Sequence, residues 1–248
     1  MTEPQKILLI GGTSDAVQLN SLLFALDNVV LLTSLAGRTK NPVPLKGEVL
    51  FHGFGDGGGL EEILKTQGIS CVIDASHPFA AKIKLKAAQI CEKLNVQYLR
   101  YDRPRWEQRV DDRWISVPDL QSAADCLADF KRIFLTIGRQ ELAVFEEATE
   151  KKFLVRSIEP VSFDLQSSTV TEIQGRGPFS KNEEMDLMRK YNIDVVVSKN
   201  SGGMATIAKI DAARALSVPV IMVERPRLDR AQSFNNMDDL IRQMQLSV

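Results

Sequence analysis

Short β-branched runs alternate with stretches of helical apolar spacing along the whole 248-residue chain. That alternation restricts it to the α/β class with mainly parallel sheets. Strands are predicted at Lys6–Ile10, Val29–Ser34, Val49–Gly53, Cys71–Ala75 and Gln97–Tyr101, and helices at Asp15–Leu26, Leu60–Thr66 and Ala80–Leu94. A second series has strands near Ile133–Ile137, Phe153–Ser157, Val170–Ile173, Val195–Ser198 and Val218–Val223. Its helices lie near Leu120–Phe130, Gln140–Ala148, Ser180–Tyr191, Met204–Leu216 and Asn236–Gln245. Ser180 and Glu183 form an S-x-x-E capping box that starts one of them. The two series meet in the Arg/Trp-rich stretch 100–114, which divides the chain into domains 1–104 and 105–248. A cleft between two such halves is a usual place for a ligand.

Lys+Arg 31 against Asp+Glu 32 leaves a net charge of −1. That speaks against a strongly basic nucleic-acid surface. Runs such as Ile7-Leu8-Leu9-Ile10 fall far short of the roughly 18 apolar residues of a membrane helix. No signal peptide is visible, so a cytoplasmic address is expected. Three scattered cysteines, Cys71, Cys91 and Cys126, argue against disulfides and structural zinc. Cys71 reads as buried core. His52 and His77 alone cannot build a metal centre, and no metal is expected.

The chemistry collects at strand ends. Ile10-Gly11-Gly12-Thr13-Ser14-Asp15-Ala16 directly follows the first strand and opens the first helix. Glycines there let backbone approach a pyrophosphate, and free N–H groups at the helix start attract its charge. The match to G-x-G-x-x-G/A is partial, since Thr13 replaces the second glycine; the hydroxyls of Thr13 and Ser14 are candidate phosphate donors. A tight turn capped by either residue is the competing reading. The second strand ends Thr33-Ser34-Leu35-Ala36-Gly37-Arg38-Thr39, with no carboxylate for a ribose 2′-hydroxyl. Arg38 suits a 2′-phosphate instead, so with the first turn the balance favours NADP(H) over NAD(H). Read alone, Arg38 is equally well a solvated loop arginine. The glycine-rich segment 53–59 reads as a flexible connection, because no Lys/Thr of a phosphate loop follows.

Asp74-Ala75-Ser76-His77-Pro78-Phe79-Ala80 ends a strand and starts a helix. His77 there is a candidate for positioning a ligand or carrying a proton, against the alternative of a helix-start histidine bonded to backbone. Cations gather in Arg100-Tyr101-Asp102-Arg103-Pro104-Arg105-Trp106, in Ser198-Lys199-Asn200-Ser201-Gly202-Gly203, and at Arg139, Arg176 and Arg225. Together they suit a polycarboxylate, although singly most read as surface arginines. With no nucleophile motif or metal cluster in sight, cofactor-borne hydride transfer is the attractive chemistry.

These motifs, with Gly138-Arg139-x-x-Leu142, Gly175-x-Gly177-Pro178-Phe179 and Glu224-Arg225-Pro226, resemble the precorrin-6A reductase family in order and spacing from Ile10 to about Pro226. The resemblance implies two Rossmann-like domains with the active site in the cleft between them. It implies NADPH-dependent reduction of precorrin-6A, a tetrapyrrole polycarboxylate, to precorrin-6B in cobalamin biosynthesis. Cofactor contacts then fall to Gly11, Gly12, Thr13, Ser14, Ser34, Gly37, Arg38 and Thr39, and substrate contacts to Arg103, Arg139, Lys199, Ser201 and Gly202. His77 is the catalytic candidate, with positioning favoured over proton donation. Reduction of the cobalt-containing analogue and a non-catalytic NADP(H)-sensing module stay open as alternatives. A short-chain dehydrogenase is disfavoured, since Tyr98, Tyr101 and Tyr191 have no lysine four residues on. A monomer is compatible with the sequence.

Overall fold

Strands that are apolar on both faces belong in a parallel sheet covered by helices on both sides. The computed structural model describes residues 3–37, 42–51, 53–54, 59–160, 169–228 and 231–245, and places these runs accordingly. The first half runs β1 (Gln5–Ile10), α1 (Ser14–Phe24), β2 (Val29–Ser34), β3 (Glu48–Leu50), α2 (Gly59–Gln67), β4 (Cys71–Asp74), α3 (Ala81–Leu94) and β5 (Gln97–Tyr101). The second runs β6 (Trp114–Val117), α4 (Leu120–Asp125), β7 (Arg132–Leu135), a 3₁₀ segment (Arg139–Phe145), β8 (Lys152–Ser157), β9 (Thr169–Gln174), α5 (Lys181–Lys190), β10 (Val195–Lys199), a 3₁₀ turn (Met204–Thr206), α6 (Ala208–Ala215) and β11 (Val220–Val223). The chain closes with β12 (Gln232–Phe234) and α7 (Met237–Gln245).

Two sheets result, ordered β3-β2-β1-β4-β5-β12 and β9-β8-β7-β10-β11-β6, and every strand pair is parallel. The first follows the doubly wound order 3-2-1-4-5-6, and the second keeps the same five-strand winding β9-β8-β7-β10-β11 but carries its earliest strand, β6, at the edge; the order reverses between β1 and β4 and between β7 and β10. The sixth position of the first sheet is filled from the far end of the chain, and that of the second by the earliest strand of its own unit. β12, from the end of the chain, pairs with β5, and β6, which follows the first half, pairs with β11.

The division into units therefore differs from the expected one. One unit is Met1–Pro104 with Pro226–Val248, the other Arg105–Arg225. The tail assigned to the second half belongs to the first because Leu240 and Met244 of α7 are buried against Ile7, Leu9, Leu31 and Leu99. The opposite face of that sheet packs Leu8, Ile10, Leu32 and Val72 on Leu60, Leu64, Ala87 and Cys91 of α2 and α3. In the second unit Phe134, Leu154, Val196 and Met222 pack on Met188 of α5 and Ile210 of α6. Cys71 is fully buried, and burial pushes its thiol up to about 12. Three predicted helices are shorter or tighter than expected. The one at Leu120 stops at Asp125, the Gln140 segment is 3₁₀, and the stretch from Met204 divides into a 3₁₀ turn and α6. Among the described residues no helix is long and apolar enough to cross a membrane.

Candidate cofactor and substrate sites at the strand ends

Ligands of open parallel sheets gather beyond the carboxyl ends of the strands, where the strand order reverses. In the first unit that place is the turn after β1 and the turn after β4. Gly11 N–H donates to the Ser34 carbonyl at 2.9 Å, tying the first turn to the end of β2. A Cβ at Gly11 would stand 3.1 Å from Leu35 Cδ2, so the close packing favours glycine. Gly12 adopts φ +110°, and a Cβ there would meet nothing within 4 Å. The backbone at Gly12 is open to an approaching group.

Thr13 is the N-cap of α1. Its Oγ1 accepts the Ala16 N–H at 3.1 Å and donates its proton to the Ala75 carbonyl at 2.9 Å. A hydroxyl has one proton, so Thr13 Oγ1 is not a phosphate donor in this arrangement, whereas exposed Ser14 keeps that capacity. Asp15 in the first helical turn would repel an anion, but Arg103 Nη1 lies 3.1 Å from its Oδ2. Arg103, expected among the substrate contacts, is thus placed against the helix start that faces the open turn. Ser34, which is buried, and Gly37 (φ +67°), which is exposed, follow along β2 and its loop. Arg38, Thr39 and Gly55–Gly58 lie outside the described residues.

At the end of β4, Asp74 is wholly buried. Its Oδ1 accepts Ser76 N–H at 2.9 Å and its Oδ2 accepts the Tyr98 hydroxyl at 2.7 Å. Burial and the Asp74 charge push the Tyr98 hydroxyl far up, so it stays a donor. Buried Lys84 brings its Nζ to 3.5 Å from Asp74 and 3.6 Å from Asp102, and Arg100 Nε pairs with Asp102. The sequence reading missed this network, because Lys84 sits in a helical stretch whose facing carboxylates come from two distant strand ends. His77 Nδ1 accepts the Phe79 N–H at 3.3 Å. An acceptor at Nδ1 selects the tautomer with its proton on Nε2, which suits a hydrogen-bond donor more than an acid. Ser76 Oγ is buried and has no hydrogen-bond partner among the described residues.

The second unit repeats the arrangement with cations. After β7, Gly138 N–H donates to Glu141 Oε2 at 3.2 Å, and the same carboxylate pairs through Oε1 with Lys199 at the end of β10. Exposed Arg139 donates to the Pro160 carbonyl at 3.3 Å. Asn200 clasps the Trp106 backbone, accepting its N–H at 2.9 Å and donating to its carbonyl at 3.1 Å. Arg225 donates to the carbonyls of Asn200 at 2.8 Å and Ser201 at 2.9 Å. It braces the loop that carries Ser201 and Gly202 (φ +72°). Below this loop Lys209 is buried, donates to the Thr206 carbonyl at 3.1 Å and lies 5.0 Å above the Trp106 ring. Burial, followed by nearby Arg156, pushes Lys209 down to about 7 against the opposing pull of Glu184. Arg156 itself pairs with Glu184 and stacks 3.8 Å from the centre of the Phe179 ring. One unit thus presents an open turn at a helix start, and the other a braced loop beside cations.

The family model described as precorrin-6x reductase CbiJ/CobK matches residues 6–245. The precorrin-6A reductase of Rhodococcus erythropolis is 41% identical over 227 residues, covering 91% of each chain. The cobalt-precorrin-6A reductase of Methanocaldococcus jannaschii is 29% identical over 245 residues, covering 95% of this chain and 96% of its own. A solved structure of CobK precorrin-6A reductase superposes with a TM-score of 0.89 at 33% identity, covering 97% of this chain and 96% of that one.

Proposed function

This chain belongs to the precorrin-6x reductase CbiJ/CobK family, and from that premise we propose that it converts precorrin-6A to precorrin-6B with NADPH as the reductant. The reaction class, an oxidoreductase acting on a CH–CH group in cobalamin biosynthesis, comes with the family, and the non-catalytic sensor drops out. Bound NADPH supplies a hydride to one carbon of a macrocycle double bond while a proton reaches its neighbour. Everything else falls to the chain's own residues, which bind and orient.

The observation that carries the cofactor reading is the turn after β1. Gly12 is open to a pyrophosphate at φ +110°, α1 presents its first N–H groups beside Ser14, and Arg103 neutralises Asp15. Ser34, Gly37, Arg38 and Thr39 belong to the adenosine side of this reading, with Arg38 on the 2′-phosphate. Arg139, Lys199 and the Ser201–Gly202 backbone are the substrate's carboxylate contacts; a carboxylate reaching Lys199 has to compete with Glu141. We place Arg103 with the cofactor turn and give His77 Nε2 a positioning role. The metal-free macrocycle is favoured by the higher identity to a precorrin-6A reductase than to a cobalt-precorrin-6A reductase, 41% against 29%.

Loss of nicotinamide absorbance on adding precorrin-6A tests the reading, with NADPH and NADH in parallel. Arg38→Ala should cost about one to two decades of NADPH affinity and spare NADH. An unchanged NADPH/NADH ratio removes Arg38 from the site. Turnover of the cobalt analogue alone would exchange the substrate.

A further inference from the structure

We infer that Ser76 is a cofactor-contacting residue, its hydroxyl bonding an oxygen of the nucleotide's sugar–phosphate chain; the assignment rests on the NADPH reading above. Ser76 is only 7% exposed, and its Oγ finds no partner among the described residues. Buried hydroxyls in folded proteins are nearly always bonded, so one that is not marks a place where a partner is still to come. The backbone around it is held in place. Asp74 Oδ1 holds the Ser76 N–H at 2.9 Å, and the Ala75 carbonyl is held by Thr13 Oγ1 at 2.9 Å. The second contact joins the turn after β4 to the start of α1, so Ser76 directly follows a residue bonded to Thr13, the neighbour of the open backbone at Gly12.

Most neighbouring polar atoms are already engaged within the protein. Thr13 both donates and accepts within the fold, Asp74 holds Ser76 N–H on one oxygen and Tyr98 on the other, and His77 Nδ1 takes the Phe79 N–H. Lys84 is also buried without a hydrogen bond, but Asp74 and Asp102 balance its charge at 3.5 and 3.6 Å. A neutral hydroxyl beside an anion-ready helix start fits an oxygen acceptor, which a phosphate and a ribose both provide.

Two measurements on Ser76→Ala decide the matter: NADPH affinity by fluorescence titration and the melting temperature of the protein without cofactor. Removing a hydroxyl that bonds nothing in the free protein leaves that temperature unchanged or raises it. The same change should weaken NADPH binding about five- to thirtyfold. Reduced nicotinamide mononucleotide and adenosine 2′,5′-bisphosphate, titrated separately, tell which half of the nucleotide the hydroxyl serves, through the half that loses affinity. Equal NADPH affinity in wild type and Ser76→Ala overturns the inference alone. Weaker binding accompanied by a lower melting temperature also overturns it, by assigning the hydroxyl to the fold. Wild-type protein that fails to bind NADPH at all refutes the cofactor reading itself.

Discussion

Replacing Thr13 by alanine separates the two roles that a hydroxyl at this turn can have. The structure commits Thr13 Oγ1 to two internal bonds, from Ala16 N at 3.1 Å and to the Ala75 carbonyl at 2.9 Å. Loss of an N-cap side chain costs about 1 kcal/mol. Loss of the bond to Ala75, which ties two strand ends together, costs about 1 kcal/mol more. The sum of about 2 kcal/mol corresponds to a fall in melting temperature of about 4–8 °C for a chain of this size. Thr13→Ser keeps both bonds and should stay within about 0.5 kcal/mol of wild type. Exposed Ser14 behaves in the opposite way. Ser14→Ala should leave stability within about 0.5 kcal/mol, yet weaken NADPH binding about tenfold or more. The assay is thermal melting without cofactor beside NADPH titration on all three variants. The reasoning is refuted if Thr13→Ala melts like wild type, or if Thr13→Ala and Ser14→Ala lose equal affinity with equal loss of stability.

Three further outcomes follow from the geometry. His77→Ala should raise KM with a fall in kcat of less than about tenfold; a thousandfold collapse with loss of one limb of the pH profile would make His77 the proton donor. Lys199→Ala should raise the KM for precorrin-6A and leave NADPH affinity alone, and an unchanged KM removes Lys199 from the carboxylate contacts. Lys209, at about 7 in the fold against about 10.4 unfolded, leaves the unfolded chain holding more protons between those values, so it makes stability rise with pH across that window. Lys209→Met should flatten the rise and stabilise the protein below pH 7; urea midpoints with the wild-type slope across the window would falsify this.

Local pattern carried much of this protein. The alternation of apolar runs with helical spacing was sufficient for the α/β class, because period 2 and period 3.6 are properties of short segments. The capping box at Ser180 was legible for the same reason, its two residues being three apart; Ser180 N–H donates to Glu183 Oε2 at 2.9 Å, and Glu183 N–H returns a bond to Ser180 Oγ at 3.3 Å. The turn Gly11–Ser14 was legible too, as glycines between a strand and a helix.

Tertiary structure decided what depends on residues far apart in the chain. β12 holds a single large apolar residue, Phe234, and becomes a strand because β5 offers it an edge. β6, the earliest strand of its unit, finds its ladder on β11, the last one. The protein acceptor for the Thr13 hydroxyl is the Ala75 carbonyl, brought alongside by the pairing of β1 with β4. Arg103 read as one more cation for a polycarboxylate until the fold set it against Asp15. Residue types and periods are written along the chain, but which hydroxyl is left without a partner, and which charge is already matched, depends on how strands return to the same sheet edge.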